Sequence, residues 1–481
     1  MVNLGVANER LRFPTQLLVG VAIALLSACV RYTGIDHENR ELTVPTAVED
    51  THYDAWPDSA WWQSYQDPVL NDLIEHALRD NPNIQIAEAR LRAARAAGQF
   101  VDSKLKPHIE AGFDSKWQRF TEHGMAPDFV GGHHDTDNRL ALDFDYELDL
   151  FGRNRALSAG TAAQIEAQQA ATHTARVAIT SAVARAYFAL AKFCAEEEVI
   201  GATLAQRARI LELVKARVAL GVDSNVELRQ AEGAIPRIQS EREKVVEHIE
   251  LLRDALSKLA VVPFAATTTI RPQLGKLAPP HLPAVIPSDF ISRRADVTAA
   301  RWRVESTLKG VEAVKAEFYP SVNLAAFAGF SALGLGALLE SGSQIYGIAP
   351  AIRLPIFDAD RLRAKLKFTN AQTDVAIAEY NDTLISAMGD VVHAVISIRA
   401  LEQRATAQRA AQAAAESAYD LALQRFKAGL TGYLTVLATE GEVLTERRAA
   451  TSLKARAYEL DVALKRALGG GYAADAVIAR R

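Results

Sequence analysis

A chain of 481 residues with a formal net charge of −4 is long enough for two or three ordinary domains or one long repetitive one. Its 54 Lys and Arg against 58 Asp and Glu leave no basic footprint, which excludes an ordinary electrostatic nucleic-acid surface. Two cysteines, Cys29 and Cys194, are too few for a disulfide framework.

Arg10 and Arg12 precede the apolar run Leu17–Leu26, which is too short for a spanning helix with these flanks and suits a signal peptide over 1–28. The run ends in Leu26-Ser27-Ala28-Cys29, which matches the bacterial lipobox. Cys29 is therefore the expected lipidation site and new N-terminus. Val30 follows it rather than aspartate, so sorting to the outer membrane is the expectation. Cys194 lies in an apolar helical context and reads as a small buried hydrophobe. Beyond residue 29 there is no unbroken run of 18 apolar residues, so any membrane crossing must use strands of a closed barrel.

The rest of the chain is duplicated. Asn83-Ile84 through Pro107-His108-Ile109 matches Asp296-Val297 through Pro320-Ser321-Val322. Leu148–Arg153 matches Leu354–Ala359, and Arg217–Gly233 matches Arg425–Gly441, in the same order. One unit covers 68–260 and the other 287–468. A lipidated segment (29–67), a Pro-rich linker (261–286) and a tail (469–481) flank them.

Each unit reads helix, strand, strand, helix, helix. A first helix is predicted from Pro68 to Lys104, ended by Pro107. Strict alternation predicts strands at about 107–120, 138–150, 319–331 and 343–356, the last interrupted by Pro350. The second carries Asp143, Asp145, Glu147 and Asp149 on one face, which suits a water-filled lumen. Long helical hairpins are predicted over 152–260 and 358–468, rich in alanine and spaced at three and four. A helix over 154–218 would be roughly 100 Å long. Gly221 and Gly429 end the long helices by adopting a left-handed backbone. Asp223 or Ser224, and Thr431, are placed to cap the helices that follow.

Four strands cannot close, since single-chain barrels begin at eight. Two, three or four copies would give eight, twelve or sixteen strands, and eight leaves little lumen. Strand arithmetic does not choose between three and four.

The chain resembles the TolC family of outer-membrane factors, in its NodT-type lipoprotein branch. The resemblance rests on Trp61-Trp62, Asp67-Pro68-Val69-Leu70, Asn81-Pro82-Asn83, Glu147–Arg153, Ile286–Phe290, Arg293–Val297, Phe318–Ser321, Leu354–Asp358 and Ala467–Gly471. Ala295 stands where the family usually has proline. The resemblance implies an α+β membrane protein and homotrimer. Each copy would give four strands to a twelve-stranded barrel and its long helices to a periplasmic α-helical barrel. An equatorial belt would come from 29–67, 261–286 and the C-terminus. The implied partners are outer-membrane lipid, a periplasmic adaptor (membrane fusion protein) and an inner-membrane pump, with no nucleic acid.

The implied function is the outer-membrane channel of a tripartite efflux pump, passing small molecules outward. The alternatives are a type I protein-secretion duct and, from another class, a lipid-anchored coiled-coil scaffold without a pore. In the family the helical tips gate the periplasmic end. Glu227 falls at the gating-acid position, with Arg217, Arg229 and Arg425 as candidate partners. Thr435 and Ala438 occupy positions where some members carry a ring of aspartates. Leu220-Gly221-Val222 and Ala428-Gly429-Leu430 fall at the adaptor-docking tips. The stretch Gly131–Asp135 has metal-friendly side chains but reads as an extracellular loop. No nucleophile elbow, phosphate loop or zinc-protease helix occurs, and neither enzymatic activity, cofactor nor metal is expected.

Overall fold

A computed structural model describes residues 32–42, 56–123, 130–277, 291, 293–358 and 360–472. Cys29 and the signal segment lie outside the described residues. Apart from helical turns of three to five residues, the elements in chain order are α1 (Pro68–Asp80), α2 (Pro82–Ser103), β1 (His108–Arg119), β2 (His134–Leu148), α3 (Arg153–Ala219), α4 (Asn225–Ala260), α5 (Ala295–Ala316), β3 (Ser321–Leu333), β4 (Gln344–Arg353), α6 (Arg361–Lys427) and α7 (Tyr433–Ala467). The duplication is visible in the lengths. Both α3 and α6 have 67 residues, α2 and α5 have 22 each, and α4 and α7 have 36 and 35.

The first helix is two helices, not one. Pro82 has no N–H to donate and disfavours a helical residue before it. Asn81 accordingly turns extended (φ −68°, ψ 125°). Its side-chain oxygen accepts from the Asn83 N–H at 3.0 Å, while its amide donates to the Leu259 carbonyl at 2.9 Å. The break therefore starts α2 and ties it to the end of α4. Upstream, Asp67 caps α1 by accepting from Val69 and Leu70 N–H groups, with Pro68 at the first helical position.

The chain forms two compact units. One holds the sheet, with Met1–Glu41, Ala93–Glu166 and Trp302–Ala378. Its four strands form an antiparallel meander in the order β1-β2-β3-β4. Register puts Ala111, Leu142, Ala328 and Tyr346 in one row and Glu110, Asp143, Phe327 and Gly347 in the next. One face is thus apolar and the other polar. Ile109, Phe113, Trp117, Leu142, Ile348 and Ile352 on the apolar face are all exposed. Strand β2 starts at His134, ahead of the predicted residue 138. Its early residues are polar on both faces, so alternation fades there while pairing continues. Strand β4 runs through Pro350, as an edge strand allows, and stops at Arg353 short of Pro355. Below the sheet, Val311, Val314, Phe318, Leu362 and Leu366 form a small core with Ile35. Residues 35–39 strap along α6. The Asn370 amide donates to the Ile35 carbonyl at 3.1 Å, and Asp374 accepts from the Glu38 and Asn39 N–H groups.

The other unit comprises Leu42–Arg92, Ala167–Arg301 and Glu379–Arg481. Its core gathers Trp61, Tyr65, Leu70 and Ile74 against Tyr187 and Phe188 of α3, Leu256 of α4 and Tyr458 of α7. Phe188 stacks on Tyr458 at 5.0 Å, and Tyr65 meets the Phe188 edge at 4.8 Å. The Tyr65 hydroxyl donates to Asp461 at 2.7 Å and that of Tyr187 to Asp67 at 2.7 Å, so both buried phenols have acceptors. Cys194 is buried in this core. Gly469, Gly470 and Gly471 all have positive φ, and a Cβ on Gly471 would meet the Asp58 backbone at 2.4 Å. Side chains are excluded there on both counts. Windows of 18 residues in α3 and α6 are apolar enough to cross a membrane by composition, with 56% and 33% of their residues buried. In α3 that apolarity is an alanine-rich seam packed in the core.

Candidate functional site

The sequence-predicted site residues fall in two regions, the polar face of the sheet and the tips of the helical hairpins. On the sheet, the four acids of β2 and its end separate into different tasks. Asp143 takes a two-pronged ion pair from Arg139 on the same strand, at 2.8 and 2.5 Å. Glu147 accepts from Arg153 at 2.7 Å. Asp149 accepts from the Asn154 and Arg155 N–H groups at 3.1 and 2.9 Å and so anchors the N-terminus of α3. Burial pushes its carboxyl up, but those two N–H groups and the Arg155 guanidinium outweigh it and hold Asp149 below the usual carboxylate range. Asp145 is exposed and has no ion pair among the described residues. Three of the four acids are therefore already engaged.

At the tips, the two long helices end alike. Val222 N–H reaches back to the Arg217 carbonyl at 2.9 Å, and Gly221 N–H to Val218 at 2.9 Å. Leu430 N–H reaches Arg425 at 2.8 Å, and Gly429 N–H reaches Phe426 at 3.0 Å. This is the Schellman pattern twice, with Gly221 at φ 73° and Gly429 at φ 75°. The next helices begin differently. Ser224 caps α4 in a reciprocal box, accepting from Val226 N–H at 3.1 Å while Glu227 accepts from the Ser224 N–H at 3.0 Å. The α7 cap is Gly432, without a side-chain cap. Thr431 does not cap, because its hydroxyl donates to the Thr435 hydroxyl at 3.1 Å.

Within one chain the structure does not bring Glu227 to any of the three arginines. The Ser224 hydroxyl and nearby N–H groups hold its carboxyl below the usual range. Arg217 instead grips Asp223 at 2.7 and 3.0 Å, which also takes Asp223 away from capping. Its remaining amino group donates to the Phe426 carbonyl at 3.0 Å, and its guanidinium lies 4.5 Å from the Phe426 ring centroid. Arg217 thereby ties the α3–α4 tip to the α6–α7 tip. Arg229 pairs with Glu232 at 2.7 Å. Arg425 is exposed and lacks an ion pair among the described residues. Leu220, Val222 and Leu430 are 79%, 59% and 74% exposed beside Gly221, Ala428 and Gly429.

A second tie was missed in the sequence. Arg207 of α3 donates to Glu440 of α7 at 2.8 Å and to the Ala234 carbonyl at 2.9 Å, and Gln206 donates to Glu440 at 3.1 Å. The Arg207 and Glu440 side chains are 10% and 3% exposed. Both were legible as charges on apolar stripes: Arg207 follows Ile200 and precedes Val214, and Glu440 lies between Val436 and Val443. Around Gly131–Asp135, His133 donates to the Gly131 carbonyl at 3.1 Å and His134 stacks on Trp117 at 4.9 Å. Among the described residues no group of three or more His, Cys, Asp or Glu is placed to hold a metal.

Comparison with known proteins gives the family of the chain. The family model described as outer membrane efflux protein matches residues 73–256 and 286–470. Multidrug resistance outer membrane protein MdtQ of Escherichia coli O157:H7 is 29% identical over 440 residues, spanning 90% of this chain and 91% of its own. Toluene efflux pump outer membrane protein TtgF of Pseudomonas putida is 29% identical, spanning 86% and 85%. The crystal structure of the outer membrane protein VceC of Vibrio cholerae superposes with a TM-score of 0.82 at 33% identity, covering 87% of this chain and all of the other.

Removing one partner of a buried ion pair strands the other, at about 3–5 kcal/mol. Glu440→Ala should lower the thermal unfolding midpoint of the detergent-solubilised protein, followed by helical circular dichroism. Arg207→Met combined with Glu440→Met should recover most of the loss. An unchanged midpoint in the single variant would contradict the role given to this pair.

Proposed function

Because the chain belongs to the outer membrane efflux protein family, we propose that it is the exit duct of a three-part pump, passing small molecules from the periplasm to the exterior without catalytic chemistry of its own. The observation that carries this is the sheet. Its apolar side chains are exposed on one face, its charges lie on the other, and the outer edges of β1 and β4 have no strand partner among the described residues. In hydrocarbon that arrangement is tolerable only when closed into a barrel, with the apolar face toward lipid and Asp143, Asp145, Glu147 and Asp149 toward the lumen or its periplasmic end. Three copies supply twelve strands. An exposed apolar stripe on α6, formed by Ile385, Met388, Val392 and Ile396, supports lateral packing of copies.

Acylation of Cys29 would anchor each copy. Tyr32 packs on Phe318 at 5.2 Å, just before β3. The names of MdtQ and TtgF favour small-molecule cargo over exported protein. A periplasmic adaptor would dock on the exposed Leu220-Gly221-Val222 and Ala428-Gly429-Leu430 tips, and an inner-membrane pump would supply the energy. The gate would be held by Glu227 reaching the exposed Arg425 of a neighbouring copy. Arg217 would act within each copy by coupling the two tips, with Arg229 beside it.

Val222→Asp combined with Leu430→Asp should abolish drug export, read as susceptibility of a complemented deletion strain, while oligomers persist on native gels. Full export by this variant would remove the docking role. Glu227→Gln keeps the helix cap but removes the charge, so it should raise single-channel conductance in planar bilayers. Conductance equal to wild type would leave Glu227 as a cap alone.

A further inference from the structure

The polar face of the sheet carries one aromatic among its paired positions. Phe113, Trp117, Phe144, Tyr146, Phe330 and Tyr346 all share the apolar face by register. Phe327 is the sole Phe, Tyr or Trp among the paired positions of the polar face, where it lies between Asp143 of β2 and Gly347 of β4. It is also the middle residue of β3, Ser321–Leu333. The ring does not stand free. A Cβ on Gly347 would come within 2.8 Å of both Cε1 and Cζ of Phe327, so the ring occupies the space a side chain there would need. From the β2 side, the Arg139 guanidinium carbon lies 5.8 Å from the ring centroid, within cation–π range. Arg139 is itself held by its two-pronged pair with Asp143.

An aromatic ring thus rests on a glycine on one strand and is braced by a fixed cation from another, on a face otherwise built largely of charged and small residues. The seat fixes the ring at mid-height on the polar face. We propose that Phe327 is a specificity-determining residue of the lumen, an aromatic ledge that planar aromatic solutes contact as they pass, with Gly347 and Arg139 as its positioning residues. A π-face attracts an aromatic or cationic solute by quadrupole and dispersion terms that an aliphatic side chain of similar size lacks. The inference rests on the reading of the polar face as the lumen wall.

The test uses the full-length protein in planar bilayers, with benzylammonium and cyclohexylmethylammonium as probes of equal charge and similar bulk. The wild type should show stronger current block by benzylammonium. Phe327→Leu should abolish that difference while still forming channels, which a ring serving only to fill the space over Gly347 would not do. Gly347→Ala should lift the ring off its seat and lower open-channel conductance, and Gly347→Ala with Phe327→Leu should restore it. Equal discrimination by wild type and Phe327→Leu would overturn the proposal. Asp145→Lys in the same assay separates the two levels. A shift in cation selectivity with no effect of Phe327→Leu removes the ledge alone, whereas unchanged selectivity removes the lumen reading and the ledge with it.

Discussion

Two unpaired strand edges govern this molecule. At the outer edges, β1 and β4 each present a row of backbone N–H and C=O groups with no strand partner among the described residues. In water such edges are an aggregation hazard. In hydrocarbon each unsatisfied group costs several kcal/mol, so two edges amount to a penalty on the order of tens of kcal/mol. The exposed Ile109, Trp117, Ile348 and Ile352 make water an equally poor home for the apolar face. A ring of identical copies relieves both problems at once, because β4 of one copy meets β1 of the next and the apolar faces form a continuous outer belt. On the proposed reading, channel function would follow from closure: the register that sends apolar residues outward would turn Arg139, Asp143, Asp145 and Glu147 inward.

The helices answer a related problem by different means. Helices of 67 residues cannot be held by a globular core, so α3 and α6 rely on alanine-rich seams that let neighbours approach closely. Charges on those seams are few and paired. Arg207 with Glu440, and Arg217 with Asp223 and Phe426, both join the first hairpin to the second. They lie at different distances from the tips, Arg217 near the turn and Arg207 further along α3. The apolar tip residues sit beyond both ties.

Much of this was legible because periodicity is a strong signal over long elements. Strand parity, the duplication, the glycine stops and the long hairpins could all be read from residue spacing. The resemblance then pointed to the outer membrane efflux family, and the comparisons agree. The differences arose where one local interaction overrode a pattern. Asn81 was absorbed into a continuous helix because its apolar neighbours keep helical spacing, yet Pro82 and the Leu259 carbonyl make it a break. Parity puts the β2 acids on one face but does not show their partners. Arg139, Arg153 and the N-terminus of α3 engage three of them. Glu227 aligned with a gating position, but its spacing from Ser224 is equally that of a capping box. The ledge at Phe327 needs knowledge of which glycine lies across the sheet, and only the register supplies it.

A shared barrel requires that those edges be paired. Amide hydrogen exchange of the detergent-solubilised protein, resolved strand by strand, addresses this directly. Closure between copies predicts that β1 and β4 are protected to the same degree as the inner strands β2 and β3. Rapid exchange along β1 and β4 while β2 and β3 stay protected would mean that the sheet remains open, and would contradict the shared barrel.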